Sequence, residues 1–378
     1  MAKAGFASSP AKIKVIGVGG GGCNAVTRMV RNEVRGVEFI TMNTDAQALA
    51  LSEASLRLQI GQRLTRGLGA GGEPTKGMRS AEESLDEIKD MVRDTDMVFV
   101  TCGMGGGTGT GAAPIVAQAA KAAGALTIAV CTKPFGFEGR HRMKNAEEGI
   151  ARMLPCVDTL IIIPNDKILG MCDPRTSVEQ AFAIADDVLL HGVQSITEVI
   201  TVPGLINLDF ADIKAIMKDA GPAWMSIGKG TGQNRAIDAA KEALSSPLLD
   251  VSITGSRGVL FNVVGGDSLT LMEVSAAAGV IRQAVDPEAN IIFGVAHDST
   301  LENEVHITLV ATGFKTADDL PSHGRGAAMV DSVRQTFKGD DELDIPSFLR
   351  RPLFGHRRQV PGQTEQVIKQ NTKTHTPA

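Results

Sequence analysis

The 378-residue chain has no tyrosine and one tryptophan, Trp224, so aromatic rings supply little of its interior. Its core must be built from Val, Ile, Leu, Ala and Met. With 43% hydrophobic and 21% charged residues, there is enough apolar side chain to build one. No apolar run reaches the roughly 18–20 residues of a membrane helix, and residues 1–10 lack the apolar centre of a secretory signal. Positive charge is not in excess either. A net charge of −5 offers no basic field to DNA or RNA, so no nucleic-acid partner is expected. The five cysteines, Cys23, Cys102, Cys131, Cys156 and Cys172, are odd in number and show no C-x-x-C spacing. They read as reduced thiols of a cytoplasmic protein, with neither a disulfide framework nor a metal site expected.

What is present is a regular alternation. Strand-like runs at 13–18, 37–42, 97–102, 125–131 and 160–163 are separated by helix-like stretches at 24–35, 81–93, 112–123 and 143–153. This predicts an α/β fold with a parallel, Rossmann-like sheet covered by helices on both faces. Val178, Phe182, Ala185, Leu189, Val193, Ile196 and Ile200 then step by three or four residues, predicting a long central helix that Pro203-Gly204 stops. Helices at 209–218, 235–244 and 269–283, with strands at 259–264, 290–295 and 305–311, alternate less regularly and suggest a second, smaller α/β domain with a mixed sheet. The expected boundaries are a flexible N-terminus 1–11, a first domain 12–176, the helix 177–202 and the second domain 203–314. A polar linker 315–343, an amphipathic patch 344–351 and a basic extension 352–378 make up a disordered C-terminal tail.

Glycine punctuates the first domain at two places. Gly17-Val18-Gly19-Gly20-Gly21-Gly22 follows the first strand and opens a helix at Asn24. Glycine lets backbone approach an anion closely, and a helix N-terminus offers unpaired N–H groups and partial positive charge to phosphate. The G-x-G-x-x-G match at Gly17, Gly19 and Gly22 fits a dinucleotide site of a Rossmann oxidoreductase equally well. Gly103-Met104-Gly105-Gly106-Gly107-Thr108-Gly109-Thr110-Gly111 follows the strand at 97–102, a second backbone nest with two threonine hydroxyls as further donors. Two such turns at the carboxyl ends of parallel strands point to one crevice. A P-loop needs G-x-x-x-x-G-K-[ST], and Gly228-Lys229-Gly230 has the wrong spacing for it.

The run Gly105-Gly106-Gly107-Thr108-Gly109-Thr110-Gly111 resembles the signature of the tubulin/FtsZ GTPase family. Further similar stretches include 15–22, 43–49, 67–71, 132–135, 163–167, 207–212 and 246–249. The resemblance runs from about 12 to 314 and returns at 344–351. It implies a GTPase that uses GTP/GDP with Mg²⁺ on the phosphates, polymerises head to tail into protofilaments, and works in the cytoplasm at the division site. The nucleotide contacts it implies are Gly19, Gly20, Gly21, Gly22, Cys23, Asn24 and Asn43, then Gly103, Gly105, Gly106, Gly107, Thr108, Gly109 and Thr132. It adds Glu138, Arg142, Asn165, Phe182 and Asp186.

Taken bare, several of these have plainer readings. Glu138 and Arg142 are a charged pair on a helix start, and Phe182 belongs to an apolar stripe. Phe182 and Asp186 share one helix face, where a ring can stack on a base and a carboxylate can accept from guanine N1–H and its amino group. Asp209 and Asp212 read equally as a helix N-cap and first-turn acid; the resemblance makes them, with Asn207, catalytic groups that act on the neighbouring subunit's nucleotide. In the tail, Ile345, Pro346, Phe348, Leu349 and Arg350 would dock on division proteins such as membrane tethers of the FtsA or SepF kind, so membrane contact is indirect. Cys23, Gly221-Pro222-Ala223-Trp224 and the basic extension, with Arg357, Arg358, Lys369 and Lys373, depart from the family pattern. Two other functions remain open at this point: a non-hydrolysing GTP-binding scaffold and the oxidoreductase.

Overall fold

The computed structural model describes residues 11–314 except 171, 174, 202–208, 249–252, 254–255 and 299. The predicted tail and Asn207 lie outside the described residues. β1 (Ile13–Val18) and β4 (Met97–Gly103) are almost wholly apolar and almost wholly buried, as strands covered on both faces must be. They are neighbours, parallel and in register from Ile13↔Met97 to Gly17↔Thr101. Outward from β1 lie β2 (Val37–Asn43) and β3 (Leu56–Gln59). Outward from β4 lie β5 (Leu126–Lys133) and β6 (Thr159–Pro164). The order β3-β2-β1-β4-β5-β6 reverses between β1 and β4, and a crevice opens beyond the carboxyl ends of strands at such a reversal.

Alternate residues of each strand face opposite layers. Val15, Phe99, Ile128 and Ile161 pack with Val26 and Met29 of α1 (Gly19–Arg31) on one side. Ile16, Val98, Val100 and Ala129 pack on the other side against the helices that follow. Small helices α2 (Ala46–Ala50) and α3 (Gln62–Thr65) flank that edge. α4 (Pro74–Glu83), α5 (Leu85–Val92), α6 (Thr108–Ala122) and α7 (Arg140–Met153) supply Ala81, Ile88, Val116 and Ala146 to the layer. The helix expected over 81–93 is therefore two, broken at Ser84.

After α8 (Asn165–Leu169) comes α9 (Val178–Thr201), the expected long helix. Its stripe is core only from Ala185 onward: Val178 and Phe182, at its start, are 64% and 40% exposed. Leu189, Val193 and Ile196 pack in one cluster with Ile128 and Ile161 of the first half and with Leu260, Ile292 and Val310 of the second. α10 (Phe210–Met217) joins the same cluster through Ile213 and Met217.

The second half adds β7 (Gly221–Thr231), α11 (Arg235–Ser245), β8 (Gly258–Gly265), α12 (Leu271–Ala284), β9 (Asn290–His297) and β10 (Glu304–Thr312). Its sheet is mixed: β10 runs antiparallel to β7 and β8, and β9 is parallel to β8. It is not a separate sheet. β7 also pairs in parallel with β6, through Thr159↔Gly221 to Ile161↔Ala223, so all ten strands described form one sheet. Residues 11–314 all fall within one compact unit.

β7, with its eleven residues, went unpredicted, its apolar run being interrupted by Gly228-Lys229-Gly230. The glycines are there to admit α11. A Cβ on Gly230 would stand 1.9 Å from Arg235 O, and one on Gly228 2.1 Å from Ala239 O. Gly230→Ala should therefore lower stability by about 1–3 kcal/mol through overpacking. Gly279→Ala, inside α12 with open space at its Cβ, should raise it by about 0.5–1 kcal/mol. Urea unfolding of the two variants checks the pair of opposite signs.

Candidate active site

The first glycine run is the first turn of a helix, and the second is a short turn, Met104–Gly107, that leads into one. α1 begins at Gly19, five residues before the expected start, and α6 begins at Thr108. Neither helix has a side-chain cap or an acidic residue in its first turn. α2 and α10, by contrast, are capped by Asp45 and Asp209, and α12 by a Thr270–Glu273 capping box. The first N–H groups of α1 and α6 thus have no side-chain acceptor, a condition that favours binding an anion.

The two turns also touch each other. A Cβ on Gly19 would lie 2.7 Å from Gly109 N, one on Gly21 3.3 Å from Gly103 N, and one on Gly109 2.7 Å from Gly103 O. Gly22 and Gly17 close the crossing from behind, where a Cβ on Gly22 would reach Thr101 O at 2.4 Å. Gly19 itself has φ +74°, a left-handed conformation that favours glycine.

In front of this crossing lies a cavity of about 680 Å³. Gly20, Gly21, Asn24, Asn43, Gly103, Gly106, Gly107, Thr108, Gly109 and Thr132 line it, with Glu138, Arg142, Asn165, Phe182 and Asp186. Gly19, Gly22, Cys23 and Gly105 do not: they stand behind the lining and shape it. Burial pushes the Cys23 thiol up to about 12, and Asn43 Nδ2 points at its sulfur at 3.8 Å. Cys102 is likewise raised, by its hydrogen-bonding contact with Cys131 (Sγ–Sγ 3.5 Å) and by burial. These are packing thiols, not nucleophiles.

The threonines divide. Thr108 Oγ1 lies 2.6 Å from Thr44 Oγ1 at the cavity wall. Thr110, expected as an anion donor, is turned inward, where its Oγ1 accepts from Gly105 N at 2.8 Å and holds the turn.

The far end of the cavity is aromatic and carboxylic. Phe182 stands edge-on to Phe135, with ring centroids 5.2 Å apart, and Phe137 stacks on Phe135 at 5.0 Å. The exposed face of Phe182 is therefore held in one orientation by a ring cluster that sequence spacing did not announce. Glu138 is no solvated surface residue: it accepts from Phe135 N at 2.9 Å and pairs with Arg142. Asn165 is 4% exposed and its Oδ1 has no partner, an acceptor waiting for a donor from within the cavity. Asp186 makes no hydrogen bond among the described residues. Burial pushes its carboxyl up to about 7; Arg28 opposes that shift and Asp187 adds to it.

The wall opposite is a segment whose role the sequence did not give: Asp45, Ala48 and the run Leu68–Gly72. Gly71 and Gly72 have φ +63° and +79°, and Leu68 is 81% exposed. The cluster of glycines at 67–72 was the available signal.

Asp209 and Asp212 are not brought to this cavity. Both are exposed at the start of α10. The last turn of that helix accepts, at Met217 O, from Thr159 Oγ1 at the amino end of β6. The cavity lies at the carboxyl ends, about 16 Å away along a six-residue strand. A larger cavity of about 860 Å³, bordered by His191, Glu198, Asn262 and His306, contains none of the expected site residues.

The profile of the Tubulin/FtsZ family GTPase domain matches residues 12–173, and that of the FtsZ family C-terminal domain matches 221–315. Among solved structures, an empty FtsZ dimer of M. jannaschii is 48% identical, with 80% of this chain and 88% of that chain covered and a TM-score of 0.78. A point mutant of M. jannaschii FtsZ gives 47%, 82%, 94% and 0.79. CetZ2 from Haloferax volcanii, solved as a GTPγS-bound protofilament, is 17% identical over 86% of this chain and 98% of its own, with a TM-score of 0.69, a likeness of fold.

Gly20 and Gly109 separate ligand space from packing space. Nothing lies within 4 Å of a Cβ on Gly20, so Gly20→Ala should not lower the melting temperature yet should lower nucleotide affinity about tenfold, since its methyl enters the cavity. Gly109→Ala should instead cost about 1–3 kcal/mol of stability. Melting curves paired with nucleotide titrations check both; undiminished affinity in Gly20→Ala would remove the first turn from the site.

Proposed function

Because this chain belongs to the Tubulin/FtsZ family, we propose that it is a GTPase that polymerises head to tail into protofilaments of the cell-division ring. One observation carries the reading: two uncapped glycine turns meet at the strand-order reversal and share a cavity with an unpartnered amide oxygen and an unpartnered carboxylate. The turns take the phosphates. Phe182 stacks on the base, and Asp186 accepts from N1–H and the amino group of guanine, a donor pair that adenine lacks. Glu138 and Arg142 contact ribose and phosphate.

Mg²⁺ fits this site as an ion carried by the nucleotide. Among the described residues no cluster of three His, Cys, Asp or Glu could hold a metal, Asp45 is spent on capping α2, and Glu138 is paired with Arg142. On the phosphates the ion would neutralise charge that develops during hydrolysis.

Hydrolysis needs a group to orient the attacking water, and the cavity's own carboxylates are committed elsewhere. Asp212, with Asp209 and Asn207 beside it, fills that role on the next subunit's nucleotide when chains stack head to tail. The M. jannaschii FtsZ dimer supports self-association. The domain boundaries follow the same division of labour: 12–176 binds nucleotide, 177–202 connects, and 203–314 presents the acids. The segment 344–351 recruits tethers of the FtsA or SepF kind, which places the polymer in the cytoplasm beneath the membrane. Among the described residues no helix is long and apolar enough to cross a membrane.

Asp212→Ala should bind GTP and assemble, but hydrolyse at least about a hundredfold more slowly. Mixing it with a variant crippled in nucleotide binding at the Gly107–Gly109 turn should restore part of the phosphate release, because mixed contacts pair an intact cavity with an intact acid. Constant turnover per subunit on dilution, with no restoration on mixing, would contradict the trans arrangement.

A further inference from the structure

Asp186 has a neighbour whose chemistry the proposed function leaves unused. Asp187, next along α9, is held by Arg28 of α1 in a two-pronged ion pair, Nε to Oδ1 and Nη2 to Oδ2, the latter at 2.6 Å. Arg28 lies one turn after Asn24, which lines the cavity, so the guanidinium sits just outside the wall that Asp186 forms. Neither Arg28 nor Asp187 touches the cavity itself.

We propose that Arg28 is a positioning residue that keeps Asp186 ionised, and the pocket competent for guanine, by neutralising Asp187 and standing as the cation beside both carboxylates. The inference rests on Asp186 being the base-reading group. A carboxylate can accept both guanine donors, whereas a protonated carboxyl presents an O–H to a donor edge. Burial works against the ionised form, and an unneutralised Asp187 would work against it again.

The other charges around Asp186 are already engaged. Arg31 on α1 is paired with Glu53 at 2.6 Å, Glu138 and Arg142 across the cavity are paired with each other, and Asp45 caps α2. His191, one turn beyond Asp187, is pushed down by burial, which favours its neutral form. Arg28 is thus the cation that opposes the effect of burial on Asp186.

A clamp between α1 and α9 would be broken equally by removing either partner of the ion pair. The electrostatic role gives opposite signs. Arg28→Met leaves Asp187 as a bare like charge and should move the protonation midpoint of Asp186 up by about one pH unit; Asp187→Asn removes that charge, keeps Arg28, and should move it down by a similar amount.

The readout is GDP affinity, which avoids turnover, measured by calorimetry from about pH 5.5 to about pH 8.5. Asp186→Asn serves as the baseline for titration of the phosphates themselves. Relative to that baseline, wild-type affinity should be constant above about pH 7 and fall roughly tenfold per unit below it, because guanine binding expels a proton from Asp186. Arg28→Lys should restore the wild-type midpoint. If Arg28→Met fails to fold, the downward shift in Asp187→Asn alone decides the matter. Shifts of the same sign in Arg28→Met and Asp187→Asn, or no shift in either, would overturn the role of Arg28 while leaving the base contact standing. A wild-type profile that coincides with Asp186→Asn would overturn both.

Discussion

The structure depends on how closely two helices can approach where they leave neighbouring strands. β1 and β4 are adjacent and parallel, and α1 and α6 start at their ends with backbone against backbone. A single methyl at Gly17, Gly19, Gly22 or Gly109 would overlap main-chain atoms of the two turns or of the strands they leave. The N-cap positions are Val18 and Gly107, neither of which carries an acceptor, so no side chain caps these helices and their first N–H groups are left for a ligand. Packing and anion binding are therefore one constraint: the glycines that allow the crossing also leave it unsatisfied.

α9 turns this local arrangement into a property of the whole chain. Its N-terminal half borders the cavity through Phe182, Ala185, Asp186 and Leu189. Its later turns pack against both halves of the sheet. The β6–β7 pairing makes that sheet continuous, so the second half is fixed to the nucleotide half by hydrogen bonds as well as by apolar contact. Such a spine suits the proposed arrangement, in which a nucleotide held by one subunit is met by acids of the next. The Arg28–Asp187 pair belongs to the same logic, tying α1 to α9 beside Asp186.

Much of this was legible in the residues. The parallel sheet followed from the spacing of apolar runs, and both glycine turns were recognisable because five or six glycines between a strand and a helix demand close backbone approach. What sequence could not give was governed by partners distant in the chain. β7 was hidden because its glycines answer to α11, not to a turn. Thr110 looked like a donor until the structure turned it toward Gly105. Glu138 looked like a solvent-facing charge because nothing local shows that Phe135 N–H needs an acceptor, whereas its partner Arg142 is exposed as its spacing suggests. Phe182 sat on a core stripe by spacing, yet α9 overshoots the sheet at its start and leaves that ring facing a cavity. Asp186 could be named by its i, i+4 relation to Phe182, but not its ionisation, which is set by burial and by a guanidinium 158 positions earlier.

The central claim is that the glycine crossing and Asp186 together make a guanine nucleotide site. Competition at equilibrium tests it most directly: GTP and ATP are each titrated against a fluorescent GDP analogue on the wild-type chain near neutral pH. Loss of a charge-assisted pair to the base corresponds to roughly 1.5–3 kcal/mol, so ATP should compete about tenfold to a hundredfold more weakly than GTP. Equal competition by ATP would contradict the account.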